Sequence, residues 1–340
     1  MTAEIREEIS RTGPIPFDRF MELALYGAEG FYTKVDGGSA GRRGDFITSP
    51  EVGPLFGAVF ARFLDAEWKR LGTPDRFPVV DVGAGPGTFA RSVLAAEPEC
   101  AAALDYIAVE VSAPQRERHP DRVTSLDSLP DGPIAGVVVA NELLDNLPFR
   151  LAVFDGGWRE AYVAVAPDGS FAEVLSAPFD PLPAHLLPGA SIGARAPLID
   201  RAARFVDDAR ALLEAGSVVV FDYGTPITAA LAGRPWREWL RTYRANERGD
   251  HYLAVPGSQD ITIDVPFDQL PEPDAVRSQA QFLQRWGIDD LVDEGRRVWS
   301  EQAASPGLEA MRMRSRISEA EALLDPAGLG NFLAVEWRIG

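Results

Sequence analysis

The sequence predicts an α/β protein: a doubly wound, mostly parallel sheet with an N-terminal helical cap, an inserted antiparallel meander and a lid region. Three observations predict it. In Phe77-Pro-Val-Val-Asp-Val-Gly-Ala-Gly-Pro-Gly-Thr-Phe89 an apolar, β-branched run (Val79, Val80, Val82) passes straight into Gly83, Gly85 and Gly87. The stretch from Phe89 to Ala96 then has helical spacing, so the segment reads strand, glycine turn, helix. Beyond it, short β-branched runs keep alternating with helical stretches, the pattern of parallel strands joined by crossover helices.

Taken in order, residues 3–11 read as a short helix that Pro14 and Pro16 break. Phe17 to Tyr26 resumes it, with Phe20, Met21, Leu23, Ala24 and Leu25 at helical spacing. Gly30-Phe-Tyr32 leads into a flexible glycine-rich run, 36–41. A helix from about Pro54 to Leu71 carries Leu55, Phe56, Val59, Phe60, Phe63 and Leu64. After the first strand come Tyr106–Val111, Arg122–Ser125 and Ile134–Ala140 as further strands. A helix closing at Leu212–Ala215 is expected to be capped by Gly216, before a strand from Ser217 to Asp222. Asn331 to Ile339 makes the last strand. Two stretches depart from the alternation. Residues 149–175 alternate apolar and polar around Asp155-Gly-Gly157 and Pro167-Asp-Gly169, as an antiparallel meander does. Residues 225–275, rich in Pro, Gly, Arg and Tyr, read as a lid, a dimer arm or both, which leaves a homodimer open. The expected division is a cap over 1–76 and a main domain over 77–340 carrying both inserts.

With 46% hydrophobic and 25% charged residues in 340, the chain has material for a full core. A net charge of −18 argues against a nucleic-acid-binding surface; it suits either a basic partner or simply a solvated acidic exterior. Cys100 is the only cysteine, so no internal disulfide or cysteine zinc cluster is expected. His119, His185 and His251 are scattered and give no metal spacing. The first ten residues resemble neither a signal peptide nor an Arg-rich transit peptide, and no apolar run reaches membrane-spanning length, so the expectation is a cytoplasmic protein with no membrane partner.

Chemistry is expected at the carboxyl ends of the parallel strands. The glycine turn is G-x-G-x-G, with the third glycine one residue early for the dinucleotide pattern G-x-G-x-x-G. Asp81 precedes it, poorly placed beside a pyrophosphate but well placed to hold the ammonium of an amino-acid-bearing nucleoside. That favours S-adenosylmethionine over a nicotinamide cofactor; a tight turn with no ligand is the other reading. Asp81, Gly83, Ala84, Gly85 and Gly87 are thus cofactor candidates. Glu110 ends the second strand, where an acid can accept both ribose hydroxyls, with Val111 beside it. Asp127, with Ser128, follows the third strand; it faces an adenine amino group or serves as a turn residue. Asn141-Glu-Leu-Leu-Asp-Asn-Leu-Pro148 opens at the same rim. Glu142 and Asp145, three apart, share a face if the segment is helical, and paired acids orient a guanidinium or amine; Asp145 as a turn cap is the alternative. Asp222 adds an acid to the rim. Asp45, Thr48, Ser49 and Glu51 mix acids and hydroxyls before a helix, as substrate or lid residues, with Ser49 equally suited to cap that helix. No Ser-His-Asp order, Walker loop or zinc spacing occurs.

Taken together, these residues resemble the MidA-like family of S-adenosylmethionine-dependent methyltransferases. The resemblance covers most of the chain: Gly13-Pro-Ile-Pro-Phe17, Met21 to Tyr26, Gly30-Phe-Tyr32, Gly44 to Glu51, Gly83 to Thr88, Val109-Glu-Val-Ser112, Ala140 to Pro148, Asp222-Tyr-Gly224, Thr242-Tyr-Arg244, Asp260-Ile-Thr262 and Gln279 to Gly287. It implies a class I, Rossmann-like methyltransferase fold. Gly83, Gly85, Gly87 and Glu110 would hold the cofactor, Asn141, Glu142 and Asp145 would lie at the methyl-transfer site, and Gly44 to Glu51 would close over it. The family is associated with protein-arginine methylation and with assembly of respiratory complex I, which implies a protein substrate carrying a basic residue, arginine first. Ala84 stands where the family usually has proline, Leu143, Leu144 and Asn146 where it has aromatic residues and alanine, and the stretch from Leu270 to Ser278 is short. An assembly factor that keeps the cofactor fold is the alternative from another functional class.

Overall fold

The computed structural model describes residues 1–34, 48–244, 247–305 and 307–340; the glycine-rich run 36–41 and Asp45 lie outside them. Helices α1 (Thr2–Thr12) and α2 (Phe17–Tyr26) come first, with a two-residue strand, Ile15–Pro16, between them. Helix α3 (Leu55–Arg70) leads into β1 (Phe77–Val82), and the glycine turn opens α4 (Thr88–Ala95). Strands β2 (Leu104–Val109), β3 (Thr124–Leu126) and β4 (Ile134–Asn141) follow. The insert supplies β5 (Arg150–Phe154), β6 (Trp158–Val165), β7 (Phe171–Pro178) and β8 (Arg195–Leu198). Then come α5 (Asp200–Ala211), β9 (Leu213–Asp222), β10 (Leu240–Arg244), β11 (Asp260–Ile263) and β12 (Ala275–Ser278). Helices α6 (Gln279–Arg285), α7 (Ile288–Gln302) and α8 (Leu308–Leu324) precede the closing β13 (Leu333–Ile339).

The central sheet runs β12-β13-β9-β4-β1-β2-β3. Its five strands from β9 to β3 are parallel, while β13 pairs antiparallel to β9 and β12 to β13. Strand order reverses between β1 and β4, and a crevice opens at such a reversal beyond the strands' carboxyl ends. Alternate residues of each strand enter opposite cores. Val80, Val138, Val218 and Val220 pack with α1, α2 and the insert, whereas Val79, Val137, Val139, Val219 and Phe221 pack with α3, α4 and α6. Burial on both faces is why these strands read as unbroken apolar runs.

Several sequence expectations are corrected. Gly216 caps no helix: α5 ends at Ala211, and Gly216 lies within β9 at φ +140° after a register shift between Leu213 and Ala215. A Cβ there would fall 1.8 Å from the Gly136 carbonyl oxygen of β4, so the position needs a residue without a side chain. The 149–175 meander extends to Pro178 and is completed by β8 and by Ile15–Pro16 into a five-stranded sheet, which ties the N-terminal helices to the insert. Helix α3, expected within the cap, packs directly on the central sheet. The described part of 225–275 is no loop, since Trp239, Leu240, Ile261, Ile263 and Val265 are buried core residues.

Candidate functional site

A cavity of about 430 Å³ sits at the β1/β4 crevice. Three turns that leave parallel strands wall one end: Gly83, Ala84 and Gly85 after β1, Glu110 and Val111 after β2, and Asn141, Glu142 and Leu143 after β4. Asp81 also lines it; its carboxylate is buried and accepts the Tyr106 hydroxyl at 3.0 Å. The turn is pinned from below. Gly83 and Ala84 donate to the Val109 carbonyl at 2.9 and 3.1 Å, and Gly87 donates to that of Ala84 at 2.9 Å. The Glu110 carboxylate accepts the Gly85 N–H at 3.0 Å and the Ser112 N–H at 2.8 Å. Each oxygen keeps acceptor capacity for a further donor.

The other end of the cavity is built by distant segments. Tyr26 and Tyr32 stack with ring centroids 5.7 Å apart, and both line the cavity with Thr48, Pro50 and Glu51. Glu142 joins the two sets of segments: its Oε1 accepts the Ser49 N–H at 3.0 Å and the Asn141 amide at 3.1 Å. Its backbone takes φ +51°, a left-handed conformation uncommon for a side-chain-bearing residue.

The expected pairing of Glu142 with Asp145 in one space is not what forms. The segment is a single 3-10 turn, Leu144–Asn146, and Asp145 points into the protein, where its Oδ2 accepts the Tyr223 and Thr262 hydroxyls. Asp222 is fully buried beneath that turn and accepts the N–H groups of Leu144 at 2.8 Å and Tyr223 at 2.9 Å, so it is a turn-holding acid rather than a rim acid. Asp127 and Ser128 are exposed, bond to each other, and lie outside the lining, because β3 is a short edge strand. Gly87 is the first half-residue of α4 and also lies outside it. Ser49 does not cap α3; its hydroxyl donates to Gln279 at 2.8 Å, while Glu319 of α8 accepts the first N–H of α3, from Leu55, at 2.9 Å. None of the described residues of the expected lid, 225–275, lines the cavity. That segment backs the wall instead, through Asp260, which accepts the Tyr32 hydroxyl at 2.9 Å and the Asn146 amide at 3.0 Å.

The tyrosine pair and its support were missing from the sequence-derived site. So was His119, whose Nε2 lies 2.8 Å from the Gly85 carbonyl and whose Nδ1 lies 2.9 Å from the Ser125 hydroxyl. A carbonyl only accepts, so Nε2 carries the hydrogen; burial lowers the imidazole pKa and keeps Nδ1 free to accept from Ser125. A histidine found by metal spacing alone could not show this bridge.

Five buried carboxyls around this region are shifted upward. Burial, with a smaller contribution from Asp145, pushes Glu142 to about 8; burial pushes Asp81 and Asp260 to about 7. Burial raises Asp145, and burial followed by the neighbouring Asp145 and Glu142 charges raises Asp222 well above its ordinary value. Folded protein therefore keeps protons that the unfolded chain sheds near its ordinary carboxyl values. Stability from these groups is fully present below about pH 4 and is lost as pH rises through about 7 to 8. The melting temperature of ligand-free protein is expected to fall between pH 5 and pH 8.5; a rise across that range, measured by calorimetry, would contradict the assignment.

An adenosyl amino acid fits this constellation. Gly85, at φ +53°, presents bare backbone: an added Cβ would meet only the Gln115 amide oxygen, at 3.4 Å, and would otherwise occupy the cavity. Asn141 lines the cavity, and its buried Oδ1 has no hydrogen-bond partner among the described residues, as expected of an acceptor kept for a ligand. Glu110 offers acceptors for a diol and Asp81 a negative charge for an ammonium.

Residues 59–284 match the family described as "Putative S-adenosyl-L-methionine-dependent methyltransferase". A COG1565 superfamily member from Burkholderia thailandensis, solved with S-adenosyl-homocysteine bound, is 29% identical with a TM-score of 0.81, over 98% of this chain and 90% of that one. The Drosophila melanogaster protein named "Protein arginine methyltransferase NDUFAF7 homolog, mitochondrial" is 28% identical over 323 residues, 78% of this chain and 68% of its own. The Rattus norvegicus "Protein arginine methyltransferase NDUFAF7, mitochondrial" is 23% identical over 384 residues, 97% of this chain and 82% of its own. Fold, cavity and family match agree: the chain belongs to this family of S-adenosyl-L-methionine-dependent methyltransferases, with S-adenosylmethionine as its cofactor.

Proposed function

We propose that the protein transfers the methyl group to an arginine side chain of a protein partner. The observation that carries this reading is Glu142, a carboxylate lining the same cavity as the cofactor turns and the Tyr26–Tyr32 stack. The names of the curated relatives support it, and the excess of acids over bases, 51 against 33, suits a basic partner. When bound, S-adenosylmethionine supplies a methyl group that its sulfonium has already activated.

The residues do the rest. Asp81, Gly83, Ala84, Gly85, Glu110, Val111 and Asn141 hold the cofactor against the β1 and β2 turns. A free guanidinium is protonated and a poor nucleophile. Glu142 in its ionised form localises the positive charge and accepts the proton that the attacked nitrogen loses as the new N–C bond forms. Asp145, Asp222 and Asp260 are buried outside the cavity lining and support the surrounding turns and Tyr32 without touching the acceptor. Thr48, Ser49 and Glu51 border the acceptor end, Ser49 by holding Glu142 in place.

The test is incubation with S-adenosylmethionine and matched peptides containing one arginine or one lysine, followed by mass spectrometry. A gain of one methyl mass on arginine alone is expected. Methylation of lysine alone would replace arginine by an amine acceptor, and cofactor binding with no transfer to any protein would favour the assembly-factor alternative. The same reading keeps two further expectations, action in the cytoplasm and no nucleic-acid or membrane partner, and leaves a homodimer open. The curated relatives' names place those proteins in mitochondria, and among the described residues no helix is long and apolar enough to cross a membrane.

A further inference from the structure

Two helices face each other over the cavity with the same arrangement. On α2, Glu22 and Tyr26 are one turn apart and both line it; on α5, Arg201 and Phe205 do the same. The helices are joined there by an ion pair, Arg201 Nη1 donating to Glu22 Oε1 at 2.9 Å. Glu22 is therefore already holding a guanidinium at the cavity.

Each partner has somewhere else to go. Glu22 Oε2 also accepts Arg19 Nη1 at 2.7 Å, and Arg19 is anchored in turn by both oxygens of Glu8 at 2.9 Å, so Glu22 stays placed without Arg201. Arg201 Nη2 lies 3.9 Å from Asp18, a second carboxylate within reach of a small side-chain rotation. Both members of the pair are about a third exposed, at 38% and 34%, and an ion pair that open to solvent is weak enough to exchange.

We propose that Glu22 is the carboxylate that reads the guanidinium of the incoming arginine at the cavity, and that Arg201 is a resident stand-in for it, moving to Asp18 as the substrate binds. This rests on the arginine reading and adds its specificity-determining residue. One guanidinium replaces another on the same carboxylate, and every charge keeps a partner throughout. Tyr26, one turn from Glu22 on α2, lines the same cavity as Glu142.

The exchange predicts opposite effects from its two partners, which a structural strut between helices does not. Binding of the peptide Gly-Gly-Arg-Gly-Gly to protein saturated with S-adenosylhomocysteine is measured by calorimetry for wild type, Glu22→Gln and Arg201→Ala. S-adenosylhomocysteine affinity, expected to be unchanged in both variants, verifies that they fold. Glu22→Gln is expected to weaken peptide binding about tenfold. Arg201→Ala removes the competitor and is expected to tighten binding about threefold. If neither the arginine peptide nor its lysine counterpart shows the opposed pattern, whether through weakening by both substitutions, no change in either or no binding to any of the three proteins, the exchange is overturned. The lysine counterpart separates the two readings: if it shows the opposed pattern and the arginine peptide does not, arginine fails as acceptor while the exchange stands.

Discussion

Glu142→Gln is expected to lower turnover by about a hundredfold or more while leaving S-adenosylhomocysteine affinity unchanged. The substitution is nearly isosteric, and a glutamine carbonyl still accepts the Ser49 N–H and the Asn141 amide that hold Glu142 now. Its backbone, at φ +51°, is fixed by the Glu142 N–H bond to the Phe221 carbonyl at 2.7 Å and is indifferent to the side-chain charge. What disappears is the capacity to take a proton. Burial and the nearby Asp145 charge hold the Glu142 carboxyl at about 8, so the base is mostly protonated in neutral solution and ionises as pH rises. kcat/KM of the wild type should therefore climb about tenfold between pH 7 and pH 9. The variant should lose that limb as well as the rate. A variant with wild-type turnover, or one that keeps the same rising limb, would remove Glu142 from the chemistry.

The parts of the fold legible in the sequence are those with local causes. β1, β4 and β9 are buried on both faces, so each shows as a run rich in valine, and the acid Glu110 is recognisable because it directly follows the apolar run Tyr106–Val109 of β2. The glycine turn is legible because its conformation demands the residues: Gly83, Gly85 and Gly87 all have positive φ. The acceptor end is not local. Tyr32 is oriented by Asp260, 228 residues away, and no window of sequence contains that bond. The fate of Glu142 and Asp145 is likewise a backbone matter. A helix would place both acids on one face, but the left-handed Glu142 and the short turn after it send one to the cavity and the other inward to Tyr223 and Thr262. Residues 225–275 look like loop by composition because the strands β10 and β11 are short and their apolar residues are spread among Arg, Pro and Gly.

Gly85→Val should abolish cofactor binding, and Gly85→Asn should separate the two physical reasons. At φ +53° the backbone is left-handed, a region where a β-branched residue is a genuine outlier, whereas asparagine enters it at modest cost. Any side chain at this position starts from a Cβ whose near neighbour is the Gln115 amide, and otherwise extends into the cavity. Valine is therefore expected to do two things. It should weaken S-adenosylhomocysteine binding by at least about a hundredfold, and it should lower the melting temperature, since strain of roughly 1–3 kcal/mol is added to the turn. Asparagine is expected to keep the melting temperature near wild type and still lose most of the affinity, because the ligand's approach to bare backbone is what both substitutions remove. The two residues around Gly85 sharpen the test. Its N–H donates to Glu110 and its carbonyl is held by His119, so a tolerated asparagine leaves both bonds in place and isolates the steric effect. If Gly85→Asn bound S-adenosylhomocysteine as tightly as wild type, Gly85 would be needed only for the shape of the turn, and the adenosyl group would have to lie elsewhere along the cavity, against Asp81, Asn141 and Val111.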